Sequence, residues 1–289
     1  MFFLIGSIIL TSYLTLSFKV VERFGINAFQ AIVFNYVCCV ITGSLFNGYF
    51  PVTADSFYHP WFKWAMLMGA SFIGIFNILA FTAQKAGVAI ASVANKLSLV
   101  IPFVFSIYLY HEKATVLKLL GIAVALAAVY LTMKRESTEK KKINKWILIL
   151  PVVLFFSSGM LDTMIKYVEQ HFINSSNQND YLITAFACAA TIGLGLLLLL
   201  VITGNLKFDY RAIIAGLAIG IPNYFSIWCL VVVLKKNAGN STAVIPINNM
   251  GIVLFSAVMA GILFKEKLSE ANKIGIILSL IAIALIAYG

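Results

Sequence analysis

A chain of 289 residues that is 61% hydrophobic and only 11% charged is not a soluble globular protein, because soluble domains carry about a quarter charged residues. Its mean hydropathy of +0.96 describes a protein dissolved mainly in lipid. The net charge of +10 sits in loops between apolar runs, a placement that excludes a nucleic-acid partner.

A helix that crosses the hydrocarbon core needs roughly 20 apolar residues, about 30 Å at 1.5 Å per residue. Ten runs satisfy this: 2–21, 28–47, 62–83, 88–110, 114–133, 146–166, 181–203, 211–234, 241–264 and 272–288. The spacing predicts an all-α, multi-pass integral membrane protein of ten transmembrane helices, expected in the plasma membrane, with no room for a soluble domain. The first run lacks a basic leader and a small-residue cleavage site, so it reads as part of the fold and not as a signal peptide.

The first run closes on FKVVERFGIN (18–27), which puts Lys19 and Glu22 at a membrane margin. The second run carries Asn35, the third Asn77, and the fourth Asn95 and Lys96; the fifth is almost purely apolar. The stretch MKRESTEKKKINK (133–145) is the densest charge cluster and reads as a solvated connector that fixes orientation, with contact to anionic membrane lipid as the alternative. The sixth run holds Asp162 and closes on IKYVEQHFIN (165–174), a near-copy of the first closing stretch, with Lys166 and Glu169 where the first has Lys19 and Glu22. The eighth contributes Asn223, with Tyr224 and Trp228 one turn apart, and the ninth Asn248 and Asn249. Cys38, Cys39, Cys188 and Cys229 lie inside runs without a CxxC pair, and His59, His111 and His171 are scattered over different loops. Neither a metal site nor a cofactor is expected.

Other echoes follow the same order. Glu112-Lys113 followed by Gly121-Ile122 recurs as Glu266-Lys267 followed by Gly275-Ile276, and Ala86-Gly87 recurs as Ala238-Gly239. The chain therefore reads as two five-helix repeats, 1–133 and 146–289, joined by the basic linker 134–145. Five crossings bring the chain out on the opposite side, so the second repeat is expected upside down, related to the first by a pseudo-two-fold axis in the membrane plane. The Lys19/Glu22 and Lys166/Glu169 pairs then lie near opposite faces, where a gating role suits them.

In Lys19 and Lys166 at the end of each half's first helix, Glu112 and Glu266 in the turn before its fifth, and Gly121 and Gly275 nine residues later, the sequence resembles the drug/metabolite transporter superfamily. The likeness is to its ten-helix form with two EamA-type domains, and it covers the whole chain. It implies helices 1–4 and 6–9 around a polar cavity, helices 5 and 10 at the periphery, and export at least as readily as uptake. Asn95-Lys96 stands where many relatives have Pro and a large apolar residue, and Asn35 where many have Arg.

An amide or charged group in lipid is costly unless it faces a partner or a water-filled cavity. Asn35, Asn77, Asn95, Lys96, Asp162, Asn223, Tyr224, Trp228, Asn248 and Asn249 are therefore the candidate substrate-binding residues. Each Asn could equally bond a neighbouring helix. Asp162 could equally pair with Lys166 one turn on, or with Lys96. Lys96 has no acidic residue within a turn and is the foremost candidate.

No GxxxxGK[ST], HExxH, GxSxG or paired catalytic carboxylates occur, so neither ATP drive nor an enzyme is expected. The reading is a secondary transporter that moves a small polar metabolite, amino-acid-like or carboxylate-bearing, by alternating access, with proton or ion coupling as a candidate. The alternative is a membrane-embedded enzyme acting on a lipid-linked substrate. On orientation two expectations oppose each other. The excess of Lys and Arg on the linker side puts the linker in the cytoplasm and both termini outside, whereas the resemblance implies termini inside.

Overall fold

The computed structural model describes residues 2–110, 115–133, 145–174, 177–236, 241–266 and 268–288. Glu112, Lys113, most of the linker and Lys267 lie outside the described residues, as does the side chain of Glu169. Among the described residues there are eleven α-helices and no strand. They are α1 (Phe2–Arg23), α2 (Ala28–Asn47), α3 (Phe62–Lys85), α4 (Val88–Leu97), α5 (Val100–Tyr110), α6 (Val116–Met133), α7 (Lys145–Phe172), α8 (Gln178–Ile202), α9 (Arg211–Lys236), α10 (Ser241–Phe264) and α11 (Glu270–Tyr288). A short 3-10 turn, Ala54–Tyr58, joins α2 to α3.

Eight segments are long and apolar enough to cross a membrane, which makes this a multi-pass membrane protein. The side chains agree. Leu196, Leu198 and Leu199 on α8, Ile214 and Leu217 on α9 and Ile262 on α10 all face outward. In water such a surface would aggregate; in lipid it costs nothing, and helices satisfy their own backbone hydrogen bonds.

Nine of the ten predicted runs appear as single helices, α7 reaching well beyond residue 166. The fourth does not. The run 88–110 is two helices, α4 and α5, interrupted at Ser98 and Leu99. Pro102 is the physical cause: it has no N–H to offer the Ser98 carbonyl, and its ring crowds that same carbonyl. The Ser98 carbonyl instead accepts from Ile101 N–H at 2.9 Å, a tighter turn, and Pro102 falls in the first turn of α5, where its missing donor is harmless.

The chain forms two compact units, each drawing on both halves of the sequence. The first comprises Met1–Lys19, Ile78–Asp162 and Ser226–Gly289; the second comprises Val20–Asn77 and Thr163–Phe225. Inside the first unit α6 and α11 lie side by side. A Cβ on Gly121 would stand 2.8 Å from Ile286 Cγ1, and one on Gly275 would stand 2.6 Å from Thr132 Cγ2, so both glycines permit close backbone approach. Asn272 Nδ2 donates to the Thr132 carbonyl at 2.7 Å and ties the start of α11 to the end of α6.

The second unit is centred on Tyr36, whose ring stacks on Phe72 at 5.9 Å and meets Phe186 at 6.0 Å, while its hydroxyl donates to Phe72 O. Gln30, fully buried, donates to Lys207 O at 2.8 Å and accepts from Asp209 N–H at 3.0 Å, pinning the loop before α9 to the first turn of α2. In that loop the Arg211 guanidinium, through hydrogen bonds to the carboxylate, holds Asp209 below the usual carboxylate range. A depressed carboxyl stabilises the fold above its unfolded value, near pH 4, and the contribution is lost as pH falls through the lower folded value. Asp209→Asn is thus expected to remove a small acid-sensitive part of the melting temperature, seen as a flatter curve between about pH 5 and 3 than the parent's.

Candidate functional site

The polar groups of the first unit gather at the break between α4 and α5. Ser92, Asn95 and Lys96 fall on adjoining positions of one α4 face by helical spacing. The Ser98 hydroxyl lies 2.6 Å from the Asn95 carbonyl and 3.4 Å from Asp162 Oδ2, and can donate to either. Lys96 is within electrostatic reach of Asp162. Gly159 makes this possible. It packs directly against Ile101 with no room for a side chain, and one turn away from that contact Asp162 meets Ser98.

The two charged side chains are not sealed away: Asp162 is exposed and Lys96 half-buried. Asp162 lies about 9 Å from the C-terminal end of the apolar span Ile147–Val168, at 1.5 Å per residue. At that depth an exposed carboxylate is tolerable only against water, a counter-charge or a ligand.

The first unit also holds buried polar atoms that lack a hydrogen-bond partner among the described residues: Ser7 Oγ, Ser92 Oγ, Ser158 Oγ, Ser256 Oγ and Asn248 Oδ1. They come from α1, α4, α7 and α10. Each orphan of this kind costs about 1–3 kcal/mol, so each calls for a polar partner that the described residues do not supply. Two of these helices are in contact: Gly251 of α10 packs directly on Ile8 of α1, and Ser12 Oγ donates to Ile252 O at 3.4 Å. Asn249, the next residue of α10 after Asn248, is buried as well.

The second unit holds a different kind of polar pair. Asn223 Nδ2 donates to Asn35 Oδ1 at 3.1 Å, both side chains being buried. Gly216 and Gly220, one turn apart on α9, bring the two helices together: Gly216 packs directly on Phe34, and a Cβ on Gly220 would stand 2.6 Å from the Asn35 carbonyl. Cys39 Sγ donates to Gly220 O at 3.4 Å across the same contact. This constellation fastens α2 to α9.

The remaining candidates disperse. Asn77 Nδ2 donates to Ile73 O at 2.7 Å within its own helix. Tyr224 packs on Gly43 in the second unit, whereas Trp228 meets Phe3 edge-on at 5.6 Å in the first. Lys19 Nζ donates to the Gln84 carbonyl, and Gln84 Nε2 returns a bond to Phe18 O at 3.0 Å. Glu22 and Lys166 are half-buried in the second unit. Sequence reasoning overlooked Ser98, Ser158 and Gly159. Of these Ser98 carried a signal, the Pro four residues beyond it; the GxxxG spacing of 216–220 was a second signal left unread.

The fold defines a multi-pass membrane protein, and one of its units holds Lys96 near an exposed Asp162. No family profile matches the chain. It is 24% identical over 296 residues to a protein of Haemophilus influenzae described only as uncharacterized, covering 99% of this chain and 97% of that one. A solved crystal structure whose description names no activity shares the fold, with a TM-score of 0.61 and 16% identity over 99% of this chain and 96% of its own.

Proposed function

We propose that the protein is a secondary transporter for a small, polar, carboxylate-bearing metabolite, built as two inverted five-helix repeats of the drug/metabolite transporter type and working by alternating access. The observation that carries this reading is Lys96 within electrostatic reach of an exposed Asp162 beside a helix break inside an apolar span. Broken helices at membrane depth supply backbone and side-chain polar groups to a ligand that an unbroken helix cannot. Lys96 would take the carboxylate of the substrate. Asp162 and Asn248 Oδ1 would accept from its donors, and proton or ion coupling would act at Asp162.

The repeat draws support from packing. Gly121 stands to Ile286 as Gly275 stands to Thr132, and both equivalences span the same 154 residues. Reciprocal contacts of this form are what a two-fold axis between α6 and α11 produces. The stretches Val20–Asn77 and Thr163–Phe225, which share one unit, are also corresponding parts of the two repeats.

The test begins with a panel of labelled metabolites screened for protection against thermal unfolding. A true ligand at 100 times its Kd stabilises the fold by about 2.7 kcal/mol, and a non-ligand does nothing. The hit is then followed in sealed vesicles, where saturable movement of chemically unchanged substrate is expected. A converted product would reveal a membrane-embedded enzyme instead. Single cysteines at positions 19 and 166 should react with an impermeant thiol reagent from opposite faces; reaction from one face would end the inverted-repeat reading.

A further inference from the structure

α4 is ten residues long, and it is held differently at its two ends. At its C-terminal end it is cut from α5 by the Pro102 break. At its N-terminal end both Glu266 carboxylate oxygens accept from the Val88 N–H, at 3.0 and 3.1 Å. Glu266 comes from the turn after α10, far away in sequence and with no covalent reason to stay there. Gly87, which precedes Val88, has φ +113°, and a Cβ there would stand 3.0 Å from Glu266 Oε2. The glycine is needed twice over, for a backbone angle that L residues avoid and for the space the carboxylate fills. On the other flank of the same turn, Lys19 holds the last carbonyls of α3 through Gln84.

We propose that Glu266 is a releasable latch that holds α4 closed at the face carrying the α3–α4 turn, with the Ser98–Leu99 break as its hinge. The proposal rests on the transporter reading, since it supplies the gate on one side of the Lys96–Asp162 site. A carboxylate on a helix N-terminus is a strong but single attachment, reinforced by the helix dipole. Breaking it removes the polar tie at one end of a short helix that the Ser98–Leu99 interruption separates from α5 at the other. Then α4, otherwise held by its buried apolar side chains, can tilt as a rigid piece and carry Asn95 and Lys96 with it. That face also holds the end of α6, where Asn272 bonds Thr132, a contact on neither α4 nor its latch. The frame around α4 therefore stays in place when α4 moves.

The experiment uses the full chain in sealed membrane vesicles of both orientations, with Ser92→Cys on α4 as reporter and a membrane-impermeant maleimide as probe. The parent carrying only Cys38, Cys39, Cys188 and Cys229 supplies the blank. Losing a charge-assisted hydrogen bond should shift a closed-to-open balance by about tenfold. Glu266→Ala is thus expected to raise the labelling rate of Cys at 92 by about that factor, and only from the face of the α3–α4 turn. Glu266→Gln, which keeps an acceptor oxygen and the fold, should give a smaller rise from the same face. Gly87→Ala should mimic Glu266→Ala by displacing the carboxylate. Unchanged labelling in Glu266→Gln and Gly87→Ala, or an equal rise from both faces, overturns the latch. Because no substrate is added, a one-sided rise without saturable flux in the parent would keep the latch and discard the transporter reading.

Discussion

Lys96→Ala is expected to abolish saturable ligand binding while leaving a folded, helical protein. In the parent the ammonium lies within electrostatic reach of an exposed carboxylate near the α4–α5 break, within an apolar span where water is scarce. Truncating one member of a desolvated charge pair costs about 2–5 kcal/mol in binding, hence a loss of affinity of about 30-fold or more. Lys96→Arg keeps the charge with a different geometry and should lose less, and Asn95→Ala added to Lys96→Ala should leave no measurable saturable flux. Asp162→Asn provides the counter-test. It removes the charge near Lys96 but leaves an oxygen for Ser98, so a substrate that is only an anion should bind as well or better, and a zwitterion worse. Calorimetric titration of the screened ligand into each variant reads these outcomes. An affinity in Lys96→Ala within threefold of the parent would place the binding site elsewhere.

Gly220→Leu should prevent the second unit from assembling. Any Cβ at 220 stands 2.5 Å from Cys38 Cβ and 2.6 Å from the Asn35 carbonyl, the latter a backbone atom that cannot swing aside. The helices must separate, which breaks the hydrogen bond between the buried Asn223 and Asn35 side chains. Overpacking alone costs about 1–3 kcal/mol and the lost bond adds about 1–3 more. We therefore expect a fall of many degrees in the melting temperature, or no monodisperse protein on size-exclusion chromatography. Asn223→Ala, which removes the bond without the collision, should fall between Gly220→Leu and the parent. A Gly220→Leu protein as stable as the parent would mean that α2 and α9 do not touch as described.

How much of this was readable in advance depended on range. The edges of α2 and α10 coincide with runs 28–47 and 241–264 because hydrocarbon thickness sets a length and the flanking loops are polar. The break after Ser98 was hidden, since a run of apolar residues looks the same whether its helix is whole or cut, and only Pro102 carried the difference. Lys96 and Asp162 were singled out as expensive residues, and cost is a property of one residue in its solvent. That they lie within electrostatic reach of each other was only one of two arrangements open to Asp162, the other being a pairing with Lys166.

The amino-acid order by itself determined that this chain lives in a membrane, roughly where its helices begin and end, and which polar groups need an account. Those are questions of transfer free energy and helical reach, settled within a turn or two of each residue. Tertiary structure alone decided which polar groups come together: Asn35 and Asn223 bond each other across 188 residues, Glu266 caps α4 across 178, and Lys96 comes within electrostatic reach of Asp162 beside a break. Such pairings depend on which glycines let two backbones approach, and close approach is a relation between helices that no single stretch of sequence contains.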